Sequence, residues 1–179
     1  MEKEIISIIK NATRRTVIAL DGRSASGKTT LAQKIKDKTN CAVVHMDDFF
    51  VKKERRRSEV GGNIDFERLI TDVLIPFKNG EKVIYRPFLC KKGEMGEEVV
   101  IEGIDSLILE GAYSTHTLVE EFLDFSFFLD ISKEEQLERI RKRNPDNFED
   151  FINIWIPREE EYFKSKKNGF SRVSFRTLG

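Results

Sequence analysis

The amino-acid sequence predicts an α/β domain in which parallel strands alternate with crossover helices. Two observations predict it. Residues 16–31, TVIALDGRSASGKTTL, pass from an apolar β-branched run through GxxxxGKT into a helical pattern. Downstream, the short apolar runs CAVVHM, SLILE and FSFFLD alternate with segments of helical periodicity, the pattern of strand–helix–strand units. At 179 residues the chain is long enough for one well-buried domain and too short for two ordinary ones. Residues 1–179 are therefore read as one unit.

The elements follow in order. MEKEIISIIKNATRR places Ile5, Ile6, Ile8 and Ile9 on a short amphipathic helix and lacks the apolar core and cleavage site of a signal peptide. After the strand and glycine-rich junction, a helix starts near Lys28. CAVVHM is a buried-type strand ending at Asp47-Asp48, and strand C-terminal ends are where open α/β sheets bind ligands. A basic loop, KKERRR, leads to FERLITDVLIPFKNG, whose Phe66, Leu69, Ile70, Val73, Leu74 and Phe77 form a core-facing stripe that stops at Gly80. VIYRPF and EEVVIE flank the turn-rich CKKGEMG, predicting a hairpin over about residues 82–102. SLILE is the next strand, residues 115–122 a helix, and FSFFLD another strand. Ser132 and Glu135 form a capping box for the helix EEQLERIRKR, limited by Pro145. A further helix is expected through IWIPREEEYF, with Pro157 at a boundary or kink, and SRVSF is the last predicted strand.

Composition narrows the function. Lys+Arg and Asp+Glu both number 31, so no net field favours nucleic acid or an acidic lipid surface. A small-molecule partner fits better, and a homo-oligomer is compatible with the composition. Cys41 and Cys90 form neither a disulfide framework nor a metal-ligand pattern. No stretch approaches the ~20 apolar residues of a membrane span. The expected location is the cytoplasm.

The glycine-rich junction is a P-loop, which predicts nucleoside triphosphate binding. Gly22 lets the chain leave the strand, and the small residues Ser24, Ala25 and Ser26 let backbone N–H groups converge on phosphate oxygens. Gly27 permits close approach, and the helix through Lys28, Thr29 and Thr30 directs its N-terminal N–H groups at the β-phosphate. Lys28 would bridge the β- and γ-phosphates, and Thr29 would offer its hydroxyl to Mg²⁺. ATP and Mg²⁺ are the expected cosubstrate and ion. No NKxD tetrad or DxxG switch follows a later strand, which disfavours a GTPase, and SLILEG ends in Glu110-Gly111 where a hydrolytic ATPase places Asp.

GRSASGKTT, MDDFF, NIDFERL, LILEGAY and the Arg-bearing ERIRKR together resemble the uridine kinase branch of the phosphoribulokinase and uridine kinase family over most of residues 16–165. The resemblance implies a five-stranded parallel sheet with helices on both faces and a mobile lid, here about residues 133–150. It implies that Asp47 is the general base for the acceptor hydroxyl, a role that suits a carboxylate within hydrogen-bond reach of the attacking oxygen. Glu110 would help to hold Mg²⁺ through water. Asp65 would contact sugar hydroxyls, although it also stands where a helix N-cap belongs. Arg139 and Arg143, four apart on one helical face, would clamp the transferring phosphate from the lid, with Arg158 as a further contact. Tyr85 matches a base-reading aromatic position, whereas Arg86 stands where the family often has Asp and suits an anionic acceptor better than a neutral one. The expected activity is ATP-dependent phosphorylation of a small metabolite, with uridine or cytidine first. A kinase for pantothenate, a sugar phosphate or a vitamin riboside remains an alternative, as does a non-catalytic ATP-binding regulator.

Overall fold

The protein is described by a computed structural model that covers residues 1–167 and the backbone of 173–177. After helix α1 (Glu2–Lys10) comes strand β1 (Thr16–Gly22), all of whose residues are buried. The apolar run Val17–Leu20 at its centre is what a strand covered on both faces requires. Helix α2 (Lys28–Lys36) returns the chain to β2 (Cys41–His45). Helix α3 (residues 66–79) precedes four short strands, β3 (Val83–Tyr85), β4 (Phe88–Leu89), β5 (Glu94–Met95) and β6 (Val99–Ile101). Strands β7 (Ser106–Glu110) and β8 (Phe125–Asp130), helix α4 (Lys133–Arg143) and helix α5 (residues 148–167) complete the order.

The parallel sheet runs β2-β7-β1-β8 in space. Ser106 of β7 lies opposite both Thr16 of β1 and Cys41 of β2. This register brings the C-terminal ends of β1, β2 and β7, namely Gly22, His45 and Glu110, to one edge. Val173–Thr177 pairs in parallel with β8, while Ser171 and Arg172 of the expected SRVSF strand lie outside the described residues. One face of the sheet is covered by Ile5 and Ile9 of α1 with Leu31, Ala32 and Ile35 of α2. The other packs on Phe66, Leu69, Val73, Leu74 and Phe77 of α3 and on Tyr162 and Phe163 of α5. The α3 stripe is thus core, as its periodicity required. Between α3 and β7, β3 pairs antiparallel with β6 and β4 with β5, which forms a nested hairpin.

Two local departures have physical causes. Residues 115–122 are turns with a short 3₁₀ segment at Glu120–Phe122 instead of a helix. Both the N–H and the hydroxyl of Thr115 are committed to Asp21, 94 residues away in sequence. Helices α3 and α5 each contain a π-helical turn, Ile70–Leu74 and Phe151–Trp155, and each turn ends two residues before a proline, Pro76 or Pro157. Proline lacks an N–H and its ring clashes with the carbonyl four residues earlier, and the wider turn relieves both effects without ending the helix.

Candidate active site

The phosphate loop is held from beneath by a buried carboxylate. Asp21 is fully buried and accepts the N–H of Gly22 at 2.7 Å, the Thr115 hydroxyl at 2.6 Å and the Tyr162 hydroxyl at 2.8 Å. These bonds hold the end of β1, the segment after β7 and α5 together. Gly22 has φ +141°, and a Cβ there would stand 2.1 Å from the Leu129 carbonyl oxygen of β8. Only glycine permits that approach. Beyond it Ala25 (φ 62°) and Gly27 (φ 99°) take left-handed conformations, and Leu31 N–H donates to the Gly27 carbonyl as α2 begins.

This loop fits a polyphosphate. Its left-handed residues make the backbone concave, and the buried Ser26 hydroxyl has no hydrogen-bond partner among the described residues. The Lys28 ammonium is held over the loop by the carbonyls of Gly22 (2.9 Å) and Arg23 (2.8 Å). Arg139 of α4 donates to the Ala25 carbonyl at 3.1 Å and also pairs with Glu135. Arg143 is not brought to the loop. It is exposed and donates to the Asn144 side chain, because α4 ends there.

At the edge of the sheet, Thr29 donates to Glu110 at 3.2 Å, and the other Glu110 oxygen meets His45 Nδ1 at 2.6 Å. The pairing with Glu110 holds the His45 imidazole above its ordinary pKa against the opposing effect of burial. No group of three or more His, Cys, Asp or Glu among the described residues is arranged as a metal cage. Thr29 and Glu110 nevertheless fit Mg²⁺, which keeps most of its water and needs only one or two side chains beside substrate phosphates.

Asp47 and Asp48 have separate environments. Asp47 is exposed, and lost hydration and the charge of Glu110 push its pKa up against the attraction of Lys28. Asp48 accepts the Tyr85 hydroxyl at 3.0 Å, and its backbone carbonyl accepts Arg68 at 2.8 Å. The Arg68 guanidinium also donates to the Arg86 carbonyl and lies 4.6 Å from the centroid of the Phe49 ring. Asp65 caps α3 by accepting the Arg68 N–H at 3.1 Å, so its N-cap role is present, and its side chain remains 38% exposed for a second contact. Tyr85, expected as a base-reading aromatic, is buried at the end of β3 with its ring stacked on Phe49. Arg86 is exposed, and Arg158 lies over the Trp155 ring at 5.9 Å.

Sequence reasoning missed several further groups. Glu159 of α5, only 4% exposed, accepts the Ser24 N–H at 3.1 Å, the Ser24 hydroxyl and the Gln136 amide at 3.3 Å. Arg23 pairs with Asp130 at 2.7 Å and with Glu160. The links from His45 to Glu110 and from Asp21 to Tyr162 join distant segments that no local pattern announces. Arg68 had a local signal, since Asp65 and Arg68 are spaced i,i+3 at a helix start.

Residues 17–149 match the phosphoribulokinase/uridine kinase family. The chain is 32% identical over 164 residues to the bifunctional alpha-galactosidase/sucrose kinase AgaSK of Mediterraneibacter gnavus, covering 76% of this chain and 17% of that protein. It is 30% identical over 120 residues to uridine-cytidine kinase D of Dictyostelium discoideum, covering 65% of this chain and 24% of that one. The chain therefore spans less than a quarter of the length of either relative. Its fold resembles that of a "Possible Uridine Kinase" from Bacillus stearothermophilus, with a TM-score of 0.72, 21% identity and 96% of each chain covered.

Proposed function

Because the chain belongs to the phosphoribulokinase/uridine kinase family, we propose that it is an ATP-dependent kinase that transfers the γ-phosphoryl group to a hydroxyl of a small metabolite. One observation carries this reading. Asp47 stands just past the end of β2, at the C-terminal edge of the sheet, close enough to Lys28 and Glu110 for their charges to act on it, and its pKa is raised. A carboxylate poised closer to neutrality is a better proton acceptor for an alcohol, and a nucleotide sensor has no use for one there.

The residues divide the work as follows. Backbone N–H groups of Ser24–Thr30 with the Ser26 hydroxyl bind and orient the phosphates, and Lys28 moves from the loop carbonyls to the β,γ-bridge. Mg²⁺, when bound near Thr29 and Glu110, supplies charge neutralisation at the phosphate oxygens. Asp47 orients the acceptor hydroxyl and takes its proton. Arg139, already at the loop, and Arg143, once residues 133–150 close as a lid, stabilise the charge spread over the transferred group and exclude water. In this reading residues 1–179 act as one unit, with Val173–Thr177 as a fifth sheet strand and residues 82–102 as an inserted hairpin.

Uridine or cytidine is the first acceptor to consider, supported by the name of the Dictyostelium relative and by the partly open Asp65. A second reading, a sugar or anionic acceptor, is favoured by the burial of Tyr85 and the exposure of Arg86. The name of the sucrose kinase relative points the same way. Lys28→Ala tests the phosphoryl-transfer reading. Turnover should fall by on the order of 10²-fold or more in a folded variant, and near-normal turnover would contradict it.

A further inference from the structure

Glu110 of β7 is held at both of its oxygens. One accepts the Thr29 hydroxyl at 3.2 Å and the other meets His45 Nδ1 at 2.6 Å. The sheet register fixes the second contact, because His45 is the residue of β2 directly opposite Glu110, and paired residues of neighbouring strands point to the same face. Gly111 follows with φ +135°, and a Cβ there would stand 2.8 Å from the Met46 Cβ. The ends of β2 and β7 are therefore in close contact at two successive positions, and the backbone that carries the imidazole is fixed.

A carboxylate only accepts, so in this pair Nδ1 carries the hydrogen and donates it. Thr29 likewise commits its single hydroxyl proton to Glu110, which leaves the lone pairs of its oxygen facing elsewhere. Glu110 thus aims the oxygen that the P-loop pattern offers to a cation, and it does so only while its own rotation is fixed. Thr29 is exposed and its hydroxyl is a free rotor, so it does not fix the carboxylate alone. His45 supplies the second point of attachment. Space-filling is not what the ring provides, since its side chain is 40% exposed whereas that of Glu110 is 6% exposed. A carboxylate so buried is costly unless its oxygens are hydrogen-bonded, and the imidazole satisfies one of them.

We infer that His45 is a positioning residue for the cation of the nucleotide complex: its Nδ1–H bond locks Glu110, and through Glu110 it orients the Thr29 hydroxyl. In this role it touches neither the phosphates nor the acceptor. The inference rests on the kinase reading and adds to it a residue outside the phosphate-loop pattern. Groups that orient metal-site residues in this way typically account for about 10–100-fold in metal affinity.

AMP-PNP affinity, measured by calorimetry with Mg²⁺ and with EDTA, tests this in the wild type, His45→Ala and His45→Asn. By linkage, the ratio of the two affinities is the factor by which the protein strengthens Mg²⁺ binding to the nucleotide. His45→Ala should lower that ratio by about tenfold or more while AMP-PNP affinity in EDTA is retained. His45→Asn, whose amide N–H takes the place of Nδ1–H, should restore most of the ratio. An unchanged ratio in folded His45→Ala would refute the inference, as would an Asn variant no better than Ala. An equal loss in EDTA would make His45 a support of the nucleotide loop and overturn its link to the cation. A second measurement needs no variant: the chain has only two histidines, His45 and His116, so ¹⁵N-imidazole NMR separates them. Nδ1 of His45 should carry a proton, and its signals should shift when Mg²⁺ is added to the AMP-PNP complex. A His45 protonated only at Nε2, or one indifferent to Mg²⁺, would refute the inference. No AMP-PNP binding by the wild type in either condition would remove the kinase reading and the inference together, whereas a normal wild type with unaltered variants would remove the inference alone.

Discussion

Glu159 accepts the backbone N–H of Ser24 at 3.1 Å, so a carboxylate from α5 occupies a donor that the phosphate-loop pattern assigns to a triphosphate. Its burial pushes the carboxyl above the ordinary glutamate value, which marks the site as unfavourable for a second negative charge. Glu159→Gln keeps the shape and removes the charge. Affinity for a triphosphate analogue should rise by up to about tenfold, and affinity for ADP should rise less. Calorimetric titration of both nucleotides checks this, and equal weakening of the two would mean that Glu159 supports the loop instead of competing for it.

The two aspartates after β2 should separate cleanly. Asp47→Asn should leave nucleotide affinity intact and lower phosphoryl transfer by roughly 10²–10⁴. Asp48 holds the Tyr85 hydroxyl, so Asp48→Asn should act through stability and acceptor binding. Single-turnover rates beside thermal melts distinguish them, and a chemical-step phenotype confined to Asp48→Asn would exchange their roles.

Gly22→Ala should be far worse than Gly93→Ala. Both glycines have positive φ, but a Cβ at Gly22 meets the Leu129 backbone whereas one at Gly93 meets nothing within 4 Å. The second substitution should cost about 1–2 kcal/mol and the first more than about 4 kcal/mol, enough to prevent accumulation of folded protein. Comparable denaturation curves for the two variants would contradict the close approach of β1 to β8.

His116 stacks on Phe66 at 4.4 Å, and burial, then the nearby Lys166 charge, lowers its pKa below 6.5. The unfolded chain therefore binds the proton more tightly than the folded one. Stability from this site is present above 6.5 and is lost as pH falls through the lowered value. His116→Phe should flatten that part of the stability profile, which urea denaturation between about pH 5 and pH 7.5 would reveal. An unchanged slope would indicate that His116 titrates alike in both states.

Much of this architecture was legible where the physics is local. The glycine spacing from Gly22 to Gly27, the apolar stripe of α3 and the Ser132 half of the Ser132–Glu135 capping box each act within a few residues, and each is found in the structure, whereas the Glu135 side chain turns to Arg139. The failures lie where a distant partner decides. Residues 115–122 read as helical until Asp21 claims Thr115. Nothing local announces that Tyr85 stacks on Phe49, 36 residues earlier in sequence. Glu159 lies 135 residues from Ser24 in sequence, and α5 showed only a proline near a boundary. The carboxylate that most directly touches the phosphate loop therefore had no local signature.

Acceptor-dependent ADP release with Mg²⁺ and ATP tests the central claim most directly, using uridine, cytidine, sucrose, pantothenate and glucose 6-phosphate as acceptors. The wild type should release ADP only when an acceptor hydroxyl is supplied, and Asp47→Asn should abolish that dependence while still binding ATP. ATP binding by the wild type without acceptor-stimulated release across the panel, or full turnover by Asp47→Asn, would contradict the account.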